Sequence, residues 1–150
     1  AAPRHPELDR VDLTTDPIRL GVSKKLVTEH NIKSLADTAG LPWVMEPRGT
    51  ASRHWAEQAC RQAGFEPDVQ FETADIQAHI RLVESGNAVA LLTGLAWVGR
   101  PVTVELIDLP GNPRRTVFTA ARRASAKSPA IVVCRDVLAR TAELITSTEG

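Results

Sequence analysis

The chain has 150 residues, 43% of them apolar and 24% charged, which suits one modest folded domain and excludes a disordered chain. Two cysteines exclude a disulfide scaffold, and no apolar run approaches the ~18 residues of a membrane span. Lys plus Arg and Asp plus Glu are 18 each, so the net charge is zero, and tyrosine is absent; both argue against a basic or base-stacking nucleic-acid face.

The opening, residues 1–10, is polar and proline-bearing and reads as a trimmed end, a linker or a processed terminus. It has no charged segment leading into an apolar one, so no signal peptide is expected. Val11 and Leu13 suggest a short extended piece. Ile18, Leu20 and Val22 alternate and predict a strand over 18–22. Ser34 and Asp37 have capping-box spacing and Gly40 follows, which predicts a helix of one to two turns. Residues 42–46 form a short apolar run suited to a buried strand. A turn over 47–50 follows, with Thr50 as the N-cap of a helix to about Ala63.

In that helix Ala51, Trp55, Ala59 and Ala63 share one face, and Arg53, Glu57 and Arg61 another. Gly64 and Pro67 end it. Val69 and Phe71 alternate in a strand over 68–72. Thr73 or Asp75 caps a second helix with Ile76, Ile80 and Val83 inward, and Gly86 closes it. The continuous apolar run 88–92 reads as a parallel strand covered on both faces. Residues 42–92 therefore read as strand, helix, strand, helix, strand, which implies a parallel sheet with right-handed crossovers.

Strands are also expected at 102–109 and 116–121. Ser128 and Pro129 open a last helix with a stripe of Cys134, Val137, Leu138, Thr141, Leu144 and Ile145, and the tail beyond Ile145 should fray. Residues 1–75 carry net charge −3 and residues 76–150 carry +3. Arg114 with Arg115, and Arg122 with Arg123, read as the solvated ends of a strand or, as the sharper alternative, a nucleic-acid patch.

Ligands of open α/β sheets bind beyond the carboxyl ends of the strands. One such end is Glu46, Pro47, Arg48, Gly49 and Thr50, leading into a helix whose first-turn N–H groups and dipole favour an anion. Its plainer reading is a capped helix after a tight turn. The other is Thr93 with Gly94, whose plainer reading is a turn after a buried strand. No nucleotide motif is present. His5, His30, His54 and His79 have no partners at metal-ligand spacing, and His54 and His79 read as surface or boundary residues. No serine elbow occurs. Cys60 and Cys134 fit no metal or redox motif and read as small, partly buried apolar residues, consistent with a reducing cytoplasm. No enzyme activity, cofactor or metal is expected.

These motifs, in order, resemble the LysR-type transcriptional regulators. They are Ser34 to Asp37, the run Leu41 to Val44, the segment Glu46 to Thr50, Ala63 to Pro67, Phe71 to Asp75, and Val83 to Gly86 with Ala88 to Leu92. Asp9 to Pro17 resembles the family's crossing into its second lobe, and the resemblance spans about Leu8 to Leu144. It implies an α/β effector-binding domain of the type 2 periplasmic-binding-protein-like fold. One lobe would be complete, with a mixed or parallel sheet flanked by helices, and the other partial. On this reading residues 1–16 end the first lobe and form the crossing, 17–116 are the second lobe, and 117–150 return to the first. The domain is then truncated on its N-terminal side, without the winged helix-turn-helix.

The family's ligand contacts fall on the turn around Arg48, Gly49 and Thr50, beside Glu46, and on Thr93. Where the family usually has proline after the paired leucines, this chain has Thr93. The implied partners are a small, carboxylate-bearing effector, a second copy in a homodimer or tetramer, and DNA through the absent helix-turn-helix. No membrane contact is implied, and the location is cytoplasmic. The alternative of another class is a transporter's solute-binding protein with the same cleft; an enzyme on this fold would need a reactive side chain that is not visible.

Overall fold

The computed structural model describes residues 5–149, so residues 1–4 of the opening segment lie outside it. The chain divides into two compact units. One is the continuous stretch Pro17–Pro113, and the other combines Ala1–Asp16 with Arg114–Gly150. The first strand, β1 (Leu8–Val22), belongs to both. The two extended pieces expected at its start and end are one 15-residue strand.

The continuous unit holds α1 (Lys24–His30), a 3-10 turn at Leu35–Thr38, β2 (Pro42–Met45), α2 (Ala51–Gln62), β3 (Asp68–Glu72), α3 (Ile76–Glu84), β4 (Ala90–Thr93), a 3-10 turn at Gly94–Trp97, and β5 (Glu105–Asp108). The helix α1 is an element that apolar periodicity does not announce. Ser23 caps it by accepting from the Leu26 N–H, and Asn31 ends it in the left-handed region at φ 52°.

The sheet is mixed. β2 and β3 pair in parallel, with Met45 opposite Glu72. Val89 adds one parallel bridge to Trp43, but β4 then runs antiparallel to β1, with Gly21 opposite Ala90 and Ile18 opposite Thr93. β5 lies antiparallel on the other edge of β1. Residues 42–92 keep the expected strand, helix, strand, helix, strand order, with parallel pairing confined to β2, β3 and the entry to β4. The third strand, β4, has parallel contact only at its entry and takes β1 as its antiparallel partner. Ala88, Val89, Ala90 and Leu92 are nonetheless all buried, as the unbroken apolar run requires.

The period-2 alternation of strands sorts the core into two layers. Trp43 and Met45 of β2 join Leu20, Val22 and Val89 beneath α2, with Ala56 and Cys60. Val44 joins Ala88, Ala90 and Leu92 beneath α3, with Ile80 and Val83. Burying each of the larger side chains contributes about 1.5–3 kcal/mol. Ile76, expected inward on α3, and Phe71 of β3 are exposed.

The other unit holds the start of β1, β6 (Arg114–Arg122) paired with it, a short 3-10 turn at Arg123–Ser125, and α4 (Pro129–Glu149). The arginine pairs are not simply solvated ends, since Arg115 forms a bidentate pair with buried Asp16. α4 continues past Ile145 rather than fraying. Its apolar stripe is also corrected: Val137, Leu138 and Leu144 are exposed, and Ala142 is the buried position. The helix is turned so that Arg135 reaches the Asp9 carboxylate at 2.6 Å and the Asp9 carbonyl at 2.5 Å. No helix among the described residues is long and apolar enough to cross a membrane.

Candidate functional site

Parallel pairing brings the carboxyl ends of β2 and β3 to the same level. Glu46 leaves β2 and Glu72 ends β3 beside it, with the Thr73 N–H donating to the Met45 carbonyl at 3.1 Å. From there the chain turns through Pro47, Arg48 and Gly49 into α2. Gly49 sits at φ +89°, where any side chain is strained although the space around it is open. Thr50 then serves the turn in two ways. Its hydroxyl donates to the Pro47 carbonyl at 2.8 Å and accepts from the Arg53 N–H at 3.3 Å.

The first turn of α2 faces the chain's own carboxylates. The Ser52 hydroxyl donates to the Glu46 carboxylate. The Arg48 N–H donates to Glu72 at 3.4 Å. Beneath them Arg53 is only 5% exposed. Its guanidinium donates to the Glu46 carbonyl at 3.1 Å and to Glu57 at 2.5 Å, and lies 3.7 Å from Glu72. A guanidinium this buried is sustained only by such a full set of acceptors.

A groove of about 820 Å³ runs along α2 from this point. Arg48, Gly49 and Thr50 line its start, and Glu57, Arg61 and Glu66 line its course. Arg61 donates to Glu66 at 2.7 Å, and that carboxylate raises the arginine above its usual value. Behind the groove Cys60 is buried, and burial, followed by the charges of Glu66 and Glu57, pushes its thiol up to about 12.

Of the residues singled out from sequence, Arg48, Gly49 and Thr50 are therefore on one groove, and Glu46 is tied to its entrance through Ser52. Thr93 is not on that groove; it ends β4 opposite Ile18, half-buried. Ser52, Arg53 and Glu72 were not singled out. The signal for Arg53 was its place three residues after the N-cap, and for Glu72 its place at the end of a parallel neighbour of β2.

Two further expectations are corrected. His79 is buried rather than peripheral, its Nε2 lying 2.7 Å from the Thr73 carbonyl, because it occupies the inner face of α3 beside Ile80. Cys134 is exposed, while Cys60 is fully buried. Among the described residues no group of three histidines, cysteines or acids is placed to hold a metal.

Residues 1–143 match the model of the LysR substrate binding domain. None of the curated proteins matches the chain. Among solved structures, the CcmR regulatory domain of Synechocystis PCC6803, in complex with 2-PG, aligns with TM-score 0.76 and 15% identity, over 95% of this chain and 70% of that one. The C-terminal domain of a probable LysR family transcriptional regulator from Rhodococcus sp. RHA1 aligns with TM-score 0.62 and 26% identity, over 95% of this chain and 69% of that one. Full-length CbnR complexed with its target DNA aligns with TM-score 0.67 and 21% identity, and this chain spans 50% of it.

Proposed function

The chain belongs to the LysR substrate-binding domain family, and on that footing we propose that it is the ligand-sensing part of a DNA-binding transcriptional regulator. Domains of this family bind small molecules in the service of transcription and are not enzymes. The fold is the type 2 periplasmic-binding-protein-like fold of those domains. The family match over residues 1–143 is the observation that carries the reading.

Pro17–Pro113 is the effector-binding lobe, and the other unit is the remainder of the first lobe. A small anionic metabolite sits in a cleft between the lobes, with Gly49 and Thr50 offering the first turn of α2 and Thr93 contributing from the end of β4. Arg48, exposed at the groove entrance, supplies the cation that offsets Glu46 and Glu72. Effector binding shifts the arrangement of a dimer or tetramer, and a helix-turn-helix outside these 150 residues contacts DNA in the cytoplasm.

The test is a calorimetric titration of the intact regulator with a panel of small carboxylates that includes shikimate, found in complex with the effector binding domain of QuiR, together with the 2-PG of the CcmR complex. A carboxylate that binds the parent and binds the Gly49→Ala, Thr50→Val double variant at least tenfold more weakly supports the reading. Equal affinity in both removes the site assignment, and a panel that binds neither removes the anionic effector.

A further inference from the structure

The chain passes between the two units twice, at Asp16 to Pro17 and at Pro113 to Arg114. Both passages carry a proline, whose ring fixes φ near −65°. Each unit also holds its ends of the two passages together. In the continuous unit the Ile18 N–H donates to the Pro113 carbonyl at 3.0 Å. In the other unit Arg114 donates to the Thr15 hydroxyl at 2.9 Å and to the Thr15 carbonyl at 3.1 Å. Next to it, Arg115 donates through Nε and a terminal nitrogen to the two carboxylate oxygens of Asp16, both at 3.0 Å. Asp16 is 1% exposed, whereas the Arg115 side chain is 43% exposed. The carboxylate is thus the fixed member and the arginine the one that comes to it. A bidentate pair fixes orientation as well as distance.

We infer that Asp16, Arg115, Thr15 and Arg114 form a clasp that makes the two passages a single jointed element. The pairing of β6 with β1 already sets the two passages side by side, and the clasp adds a side-chain lock at the point where they cross. Clasped strands move together, and the clasp sets how freely the units turn about the passages. This rests on the division into units and on the clasp geometry, not on the identity of any effector.

The test uses the full 150-residue chain with Cys134→Ser, so that spin labels go only to Lys24→Cys on α1 and Glu143→Cys on α4. Double electron–electron resonance then reads the spread of label-to-label distances. Asp16→Asn keeps the shape of the acid but removes its charge, and Arg115→Lys keeps the charge but removes the fork. The expected result is a broader distance distribution in both variants, broader in Asp16→Asn, with unchanged helix content. Amide exchange of Ile18 should quicken in parallel, while that of Val44 and Val83 in the core stays slow. Thr15→Val, a milder cut at an exposed site, should broaden the distribution less, and it decides the matter if Asp16→Asn does not fold. A distribution as narrow in Arg115→Lys and Thr15→Val as in the parent overturns the inference. So does a parent distribution already as broad as theirs.

Discussion

Arg53, on the first turn of α2, donates to the main-chain carbonyl of Glu46 at 3.1 Å, so the helix grips the loop that leads into it. The same guanidinium bonds Glu57 on the next turn and lies near Glu72 at the end of β3. One buried side chain therefore joins two strand ends and a helix. Arg53→Met should lower unfolding stability by roughly 1.5–3 kcal/mol, the scale of hydrogen bonds to charged groups. Arg53→Lys should recover only part of that, because an ammonium lacks the planar fork. Urea unfolding of the parent and both variants measures the ordering.

Gly21 is required by space. A Cβ there would lie 2.6 Å from Cδ1 and 3.2 Å from Cγ of Leu92, which is itself buried in the layer under α3. Gly21→Ala should destabilise by about 1–3 kcal/mol through overpacking. In a double-mutant cycle with Leu92→Ala, the cost of Gly21→Ala should largely vanish, since the clashing atoms are gone. Additive costs would place the strain elsewhere.

The two thiols should differ sharply. Cys60 is buried, with its thiol pushed up to about 12, whereas Cys134 is exposed. At mildly alkaline pH one thiol per folded chain should react with a disulfide reagent, and Cys134→Ser should abolish that reaction. A raised thiol value means the folded state favours the neutral form. Its contribution to stability is present below the ordinary 9.0 and is lost as pH climbs towards about 12. Cys60→Ala should flatten that alkaline limb of stability against pH.

Asp37 acts at the other end of the scale. Its carboxylate accepts from the Lys33 N–H at 2.9 Å and the Ser34 N–H at 3.0 Å, and these bonds hold it below the ordinary 3.8. A lowered carboxylate stabilises the fold above its unfolded value, and that contribution is lost as pH falls through the folded one. Asp37→Asn should therefore leave a shallower acid limb in unfolding midpoints, with little change in the alkaline limb.

Much of the fold was legible where one physical signal stood alone. Thr50, Gly64 and Pro67 bracket α2, and the alternation of Val69 and Phe71 marks β3. The reading was less complete where a side chain's partner lies far along the chain. Arg53 reads as a surface charge until the strand end at Glu72 is beside it. The rotation of α4 follows Arg135 to Asp9, across most of the sequence, and so its apolar spacing pointed to the wrong face. α1 is seven residues with both caps but no apolar period long enough to detect. Of the site, the turn at Arg48, Gly49 and Thr50 was readable from glycine and capping chemistry. The carboxylates facing it were not, because strand register decides which acids meet there.

The division of the chain also orders its assembly during synthesis. Pro17–Pro113 is one uninterrupted stretch, whereas the other unit is stitched from segments on either side of it. A ribosome makes the whole of the first before it makes β6 or α4. The continuous unit can therefore close its core while the start of β1 is still a strand without its β6 partner. Asp16 waits for Arg115 until β6 is made, and Asp9 waits for Arg135 until α4 is made. A released chain cut after Pro113 should thus carry a protease-resistant core with a cleavable leading strand, and the chain that also has β6 and α4 should protect that strand.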